Sequence, residues 1–301
     1  MTSYAFFGAL EAGLLFGIVA IAVYLSFRIL DFPDLTVDGS FPLGAAVAAL
    51  MIVSGINPFV ATLCGMLAAA LAGAITGLLT VWLGFLHLLS GILVMIALYS
   101  INLRIMGQPN IALIGEHTVF TPVEQLGLKS NIAVLVVLAI VVALVAAGVS
   151  RFLLSEIGLS LRATGTNPRM AAANGVNVRR ATIIGLSLSN GLVGLAGALF
   201  AQSQGAADVA MGIGTIIIGL AAVILGESIM PGSRVVRAVI AVVIGAIVYR
   251  LAVALALNSD LLGLKSQDLN LITAALVVIA LLVPRLKARM GRGLRPASAP
   301  R

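Results

Sequence analysis

Long apolar runs separated by short polar breaks make up the chain. The stretches 131–150 and 269–283 show the pattern most plainly. A helix that crosses a bilayer needs roughly 20 apolar residues, within a range of about 17–25. Strands of a membrane barrel would instead alternate in polarity over segments of about ten residues. Only helices and closed barrels satisfy their backbone in lipid, so the runs predict an all-α polytopic membrane protein. Nine spans are expected, at 5–27, 41–56, 59–83, 86–104, 131–152, 181–203, 211–228, 236–257 and 269–284. The second is short and has Pro42 at its start; if it is broken, the count falls within eight to ten.

Composition agrees with lipid as the solvent. Hydrophobic residues make up 61% and charged residues 10%, against about 25% charged in a soluble domain. The mean hydropathy is +1.17. One transmembrane domain is expected over 1–290, with a cytoplasmic segment at 155–181 and a disordered cytoplasmic tail at 291–301. No Lys or Arg precedes the first apolar run, so no cleavable signal peptide is expected.

The net charge of +7 would suggest nucleic acid in a soluble protein. No basic patch with interleaved aromatics supports that here. Basic residues that collect on the cytoplasmic side of a membrane account for the charge better. If 153–180 is cytoplasmic, the alternating spans place Arg28, Arg151, Arg162, Arg169, Arg179, Arg180, Arg234 and Arg237 inside, together with the basic tail. Only Arg104, Lys129 and Lys265 fall outside, and Arg250 lies within a span. The N-terminus is then outside and the C-terminus cytoplasmic.

Little in the sequence points to bond chemistry. No GxxxxGK[ST] loop occurs, so the chain is not expected to hold ATP itself. His87 and His117 share no ligand spacing, and Cys64 is the one cysteine, which argues against a metal site. No catalytic residue is assigned. The outer connection 105–130, rich in Gly and Pro, reads as a loop that can carry a short surface helix.

Polar residues in the spans are the informative ones, because they are costly in lipid. Asp34, Thr36, Asp38 and Ser40 open the short second span between Pro33 and Pro42. They can line a translocation path, and Asp38 or Ser40 can cap the following helix. Asn190 lies mid-span in a glycine-rich stretch, as interhelical glue or as a path residue. Arg250 can snorkel or pair within the bundle, and Glu227 is expected near Arg234 or Arg237. The small-residue pairs Gly13–Gly17 and Gly73–Gly77 and the series Gly191, Gly194, Gly197 favour close packing within the chain.

The segment Ser155–Thr182 holds a well-signalled short helix. Asn167 suits the N-cap, Pro168 the first helical position and Gly175 the left-handed position after the end. About two turns are marginal in isolation, so this helix needs a surface to pack on, either its own protein or a partner.

Residues 155–199 resemble the permease subunits of bacterial ABC importers in the family of branched-chain amino acid and ribose permeases. The matching residues include Gly158, Arg162, Ala163, Asn167, Pro168, Ala171, Ala172, Gly175, Val176 and Asn177. The stretches 13–21, 34–44 and 211–226 extend the likeness over most of the chain. The form FPDLTVDGSFPLGAA is most similar to tryptophan/tyrosine importer permeases. Glu227 and Ser228 depart from the family, standing where many relatives carry a second glycine and a small residue.

The resemblance implies a non-catalytic transport subunit in the bacterial inner membrane. Its substrate would be a small solute such as an aromatic amino acid. A separate ABC ATPase would bind ATP and Mg and dock on the short coupling helix through Arg162, Asn167, Pro168, Arg169, Ala172, Gly175 and Val176. A second permease copy and an extracytoplasmic solute-binding protein would complete the assembly. An ion-coupled secondary transporter is the alternative.

Overall fold

The computed structural model describes residues 3–124, 130–232, 234–257, 275 and 278. The expected span at 269–284, apart from two residues, and the tail at 291–301 lie outside the described residues.

Helix α1 (Ser3–Val23) runs on into a π-helical turn, Tyr24–Ile29. Among the described residues, six helical segments are long and apolar enough to cross a membrane. They are Ala5–Ile29, α3 (Pro58–Leu83), α4 (His87–Met106), the segment Ile132–Leu154 of α6 (Ser130–Leu154), α9 (Val178–Gln204) and α11 (Val235–Leu257). Two expected spans are corrected. The span at 41–56 is α2 (Val37–Val53, 17 residues), and that at 211–228 is α10 (Thr215–Ile229, 15 residues). α10 falls short of a full crossing and α2 stands at its lower limit, and each begins inside the bundle.

The neighbours of α2 show this. Before it, Leu30–Thr36 is a non-helical connection whose burial alternates: Leu30, Phe32, Asp34 and Thr36 are buried while Asp31 is exposed. Asp31 turns the chain with φ +56°, a left-handed conformation that Asp tolerates better than most residues. Phe32 stacks on His87 at 4.4 Å. Leu35 lies against Gly91, and Gly39 against Met95 and Leu98. At about 1.5 Å rise per residue, Gly91 is roughly 6 Å and Met95 roughly 12 Å along α4. The non-helical segment therefore penetrates the bundle before α2 starts. Such backbone is tolerated at membrane depth when protein surrounds it, as it does here.

Glycine decides the packing around this segment. Gly44 of α2, Gly65 of α3 and Gly194 of α9 meet backbone to backbone, and a methyl group on Gly44 would collide with Gly194. Gly73 and Gly77 seat α3 on Leu186, Asn190 and Ile183 of α9. Gly13 and Gly17 admit Ile247 and Val243 of α11 to α1. Every one of these contacts is within the chain, as the small-residue spacing predicts.

At one end of the bundle, β1 (Asn110–Ala112) pairs antiparallel with β2 (Ala206–Asp208), Ile111 opposite Ala207. The 105–130 connection also carries a short helix, α5 (Thr121–Glu124). At the other end, α7 (Glu156–Thr166) precedes α8 (Pro168–Ala173). The sequence reading omits α7, although Ser155 caps it by accepting the Gly158 N–H at 3.3 Å.

Candidate functional site: a buried polar core and an exposed short helix

Four of the five polar path candidates meet in one cluster. The Asn190 amide nitrogen donates to Asp34 Oδ2 at 2.6 Å and to the Leu186 carbonyl at 3.0 Å. Its oxygen accepts from Ser40 Oγ at 2.7 Å. The Thr36 N–H donates to Asp34 Oδ1 at 2.9 Å. Thr36 Oγ1 lies 2.7 Å from Thr76 Oγ1, which also donates to the Ala72 carbonyl at 3.2 Å. All five side chains are essentially inaccessible. Asn190 thus ties the non-helical segment to α9, and Thr76 ties it to α3.

A buried carboxylate is costly unless hydrogen bonds satisfy it. Asp34 meets that requirement through Thr36 and Asn190. In this conformation the cluster is closed, with Asn190 using both amide hydrogens and its oxygen. Thr76 is a member that sequence reading missed; its place inside the Gly73–Gly77 pair was the available signal.

Asp38 does something different. It caps neither α2 nor the non-helical segment, and α2 has no side-chain cap at all. Its oxygens accept from Gly214 N at 3.1 Å and Ile216 N at 2.9 Å. A residue in the first turn of α2 therefore caps α10, which brings the starts of the two interior helices together. A carboxylate at a helix N-terminus is favoured both by the orphan N–H groups and by the dipole.

Glu227 finds a partner other than those expected, and Arg250 pairs within the bundle. Glu227 pairs with Arg28 at 2.7 Å, not with Arg234 or Arg237. Both side chains are exposed, which keeps the pair within about 0–1 kcal/mol. Arg250 turns inward: its guanidinium sits 3.9 Å over the Phe16 ring. Phe16 in turn stacks on Phe41.

The short helix α8 has the ends its sequence predicts. Asn167 Oδ1 accepts the Met170 N–H at 3.0 Å, Pro168 opens the helix and Gly175 has φ +83°. Ala171 is buried and anchors it, while Pro168, Arg169, Met170 and Ala172 are exposed and Val176 is half-buried. Gly175 lies in open space. Arg162 stands apart from these on α7, half-buried, beside a cavity it shares with Tyr24, Arg28 and Glu227.

Comparison with known proteins agrees on one family. Residues 5–284 match the family described as branched-chain amino acid transport system / permease component. A tyrosine transport system permease protein of Clostridioides difficile (strain R20291) is 39% identical over 269 residues, covering 89% of this chain and 87% of its own. An uncharacterized protein of Rickettsia prowazekii (strain Madrid E) is 32% identical over 277 residues, 91% of this chain and 95% of its own. No solved structure matches the chain significantly. With apolar helices that cross a membrane, and with likeness along nearly its whole length, the chain belongs to the branched-chain amino acid permease family, as a multi-pass protein of the bacterial inner membrane.

Proposed function

We propose that this chain is the permease subunit of an ABC importer and that its solute is an aromatic amino acid or a close relative. The likeness to the tyrosine transport permease supports the substrate class. The α8 helix carries the reading of the mechanism. It is capped at its start, closed by Gly175 and exposed along most of its length, at the end of the bundle where Arg28, Arg162, Arg169, Arg179 and Arg180 gather.

In this reading that end is cytoplasmic, the N-terminus is outside and the C-terminus is inside. Two copies of the chain form the pore, and two ATPase subunits bind ATP and Mg below it. A solute-binding protein delivers solute from the opposite side. ATP binding in the ATPases moves the docked α8, with Asn167, Pro168, Arg169, Ala172, Gly175 and Val176 as the docking surface. Arg162 acts one helix away, on α7, where it carries the displacement towards the Arg28–Glu227 pair. The Asp34–Thr36–Ser40–Asn190 cluster holds the wall of the path, and Asp38 couples α2 to α10. The protein itself needs only two packings that the ATP state biases.

The test is purification of tagged chain in mild detergent with its partners, beside an Arg169→Glu, Ala172→Glu variant at two exposed positions of α8. A P-loop ATPase should accompany the native chain and be lost from the variant, while the variant keeps its melting temperature. An intact native preparation without any ATPase would overturn the reading.

One observation favours ion coupling as a second reading. Asp34 is a buried carboxylate in an unwound segment inside the bundle, the setting in which secondary transporters hold coupling ions. Uptake into vesicles that follows an imposed ion gradient without ATP would select it.

A further inference from the structure

The sealed cluster and the exposed helix leave unused a cavity where α2, α4 and the approach to α10 meet. It has a volume of about 440 Å³, within the range of small-molecule sites. Asp38 and Pro42 line it from α2, Met95, Tyr99 and Asn102 from α4, and Ile213 from the turn before α10. Among the described residues, no Lys or Arg lines it.

Asp38 and Asn102 present acceptors in its lining. Asn102 is fully buried, and its amide nitrogen donates to the Gly39 carbonyl at 3.2 Å. That bond sets the orientation of the amide, because a flipped amide would bring two oxygens together. Asn102 Oδ1 is buried with no hydrogen-bond partner among the described residues. An orphaned acceptor of this kind is unfavourable, and a bound donor would remove that cost. Asp38 adds a carboxylate whose oxygens each accept one N–H from the start of α10; an ionised carboxylate has about four acceptor sites, so capacity remains. Around these acceptors the wall is apolar and aromatic, with Met95, Ile213 and the ring of Tyr99.

We infer that this cavity is a solute subsite that takes the ammonium group of an amphipathic aromatic amine or amino acid between Asn102 Oδ1 and Asp38, with the apolar body against Tyr99, Met95 and Ile213. The inference rests on the permease reading and deepens it, since it gives the path a site that selects for a positive head group. It also gives Asp38 two roles. A ligand at Asp38 contacts the residue that caps α10, so occupancy of the cavity bears directly on the α2–α10 junction.

The experiment uses the permease–ATPase complex in lipid nanodiscs, with Cys64→Ala to remove the native thiol and Ser100→Cys as a reporter. Ser100 lines the cavity and is exposed. The rate of alkylation by N-ethylmaleimide is measured with tyramine, L-tyrosine or 3-(4-hydroxyphenyl)propionate present. At a concentration about twice its Kd, a ligand should slow alkylation about threefold. Tyramine and L-tyrosine, which carry the ammonium, should protect, and 3-(4-hydroxyphenyl)propionate, which lacks it, should not. Asn102→Leu should remove the protection without changing the rate in the absence of ligand. Equal protection by all three compounds, or by none, overturns the inference. Should Asn102→Leu fail to assemble, the comparison of the three compounds on the reporter complex still decides the matter. ATP-driven uptake of labelled tyrosine by the complex with its binding protein tests the permease reading separately. Protection without uptake would leave the subsite standing and the tyrosine importer reading overturned; uptake without selective protection would do the reverse.

Discussion

Helices α6 and α9 both cross the bundle, and they invert the rule of soluble proteins. Of the six candidate spans, α6 has the highest mean hydropathy, yet only 22% of its most apolar window is buried within the protein. The lowest belongs to α9, and 67% of its window is buried. In water the more apolar helix would be the one inside. Here lipid is as apolar as leucine, so hydrophobicity does not drive helices together. Close backbone approach and polar contacts do, and α9 supplies both through Gly185, Gly191, Gly194, Gly197 and Asn190. The face of α6 with Ile140 and Leu144 is exposed and supplies neither.

The contrast can be broken most severely at glycine. Gly194→Leu puts a side chain where α3 already lies against α9, with Ala69 and Gly65 in the way. Overpacking costs about 1–3 kcal/mol and sometimes more, and with backbone as the obstacle the upper end is expected. Thermal unfolding in detergent should show little folded protein. Next comes Asn190→Leu, which strips Asp34 and Ser40 of a partner in the dry core. Leaving buried polar partners unsatisfied costs about 1–3 kcal/mol, and a graded SDS unfolding titration should resolve the loss. A stability near that of the native protein would mean that water reaches Asp34.

Smaller effects sharpen the picture. Asn57 caps α3 by accepting the Phe59 N–H at 2.9 Å, and Asn57→Ala should cost about 1 kcal/mol in the same titration. At the bottom of the scale, Leu144→Ala on α6 should stay within about 0.5 kcal/mol, because that residue is 68% exposed. A loss of several kcal/mol at Leu144 would place a protein partner, such as a second copy, on that face.

Much of the bundle was legible because its signals are local. Six long apolar stretches became helices near the expected boundaries, and Asn167 and Gly175 act as cap and terminator as their types predict. Asn190 and Asp34 were singled out as costly in lipid, and they turned out to satisfy each other. The partners themselves could not be read. Asp38 is 176 residues from Gly214, and Arg28 is 199 from Glu227. Asn102 and Thr76 went unnoticed because one polar residue in an apolar run has no pattern until its neighbours across the bundle are known. Strands β1 and β2 are three residues each and too short for alternation to show.

The sequence by itself determined that this chain lives in a membrane as helices. Composition decides the solvent, and in lipid each helix must satisfy its own backbone. It also determined where α8 starts and stops, since capping depends on adjacent residues. Only the tertiary structure decided that α2 and α10 begin inside the bundle, that Asp38 joins them and that Asn102 faces a cavity with its acceptor unused. These features depend on which helices touch, and that choice rests on glycine contacts and hydrogen bonds between segments more than a hundred residues apart.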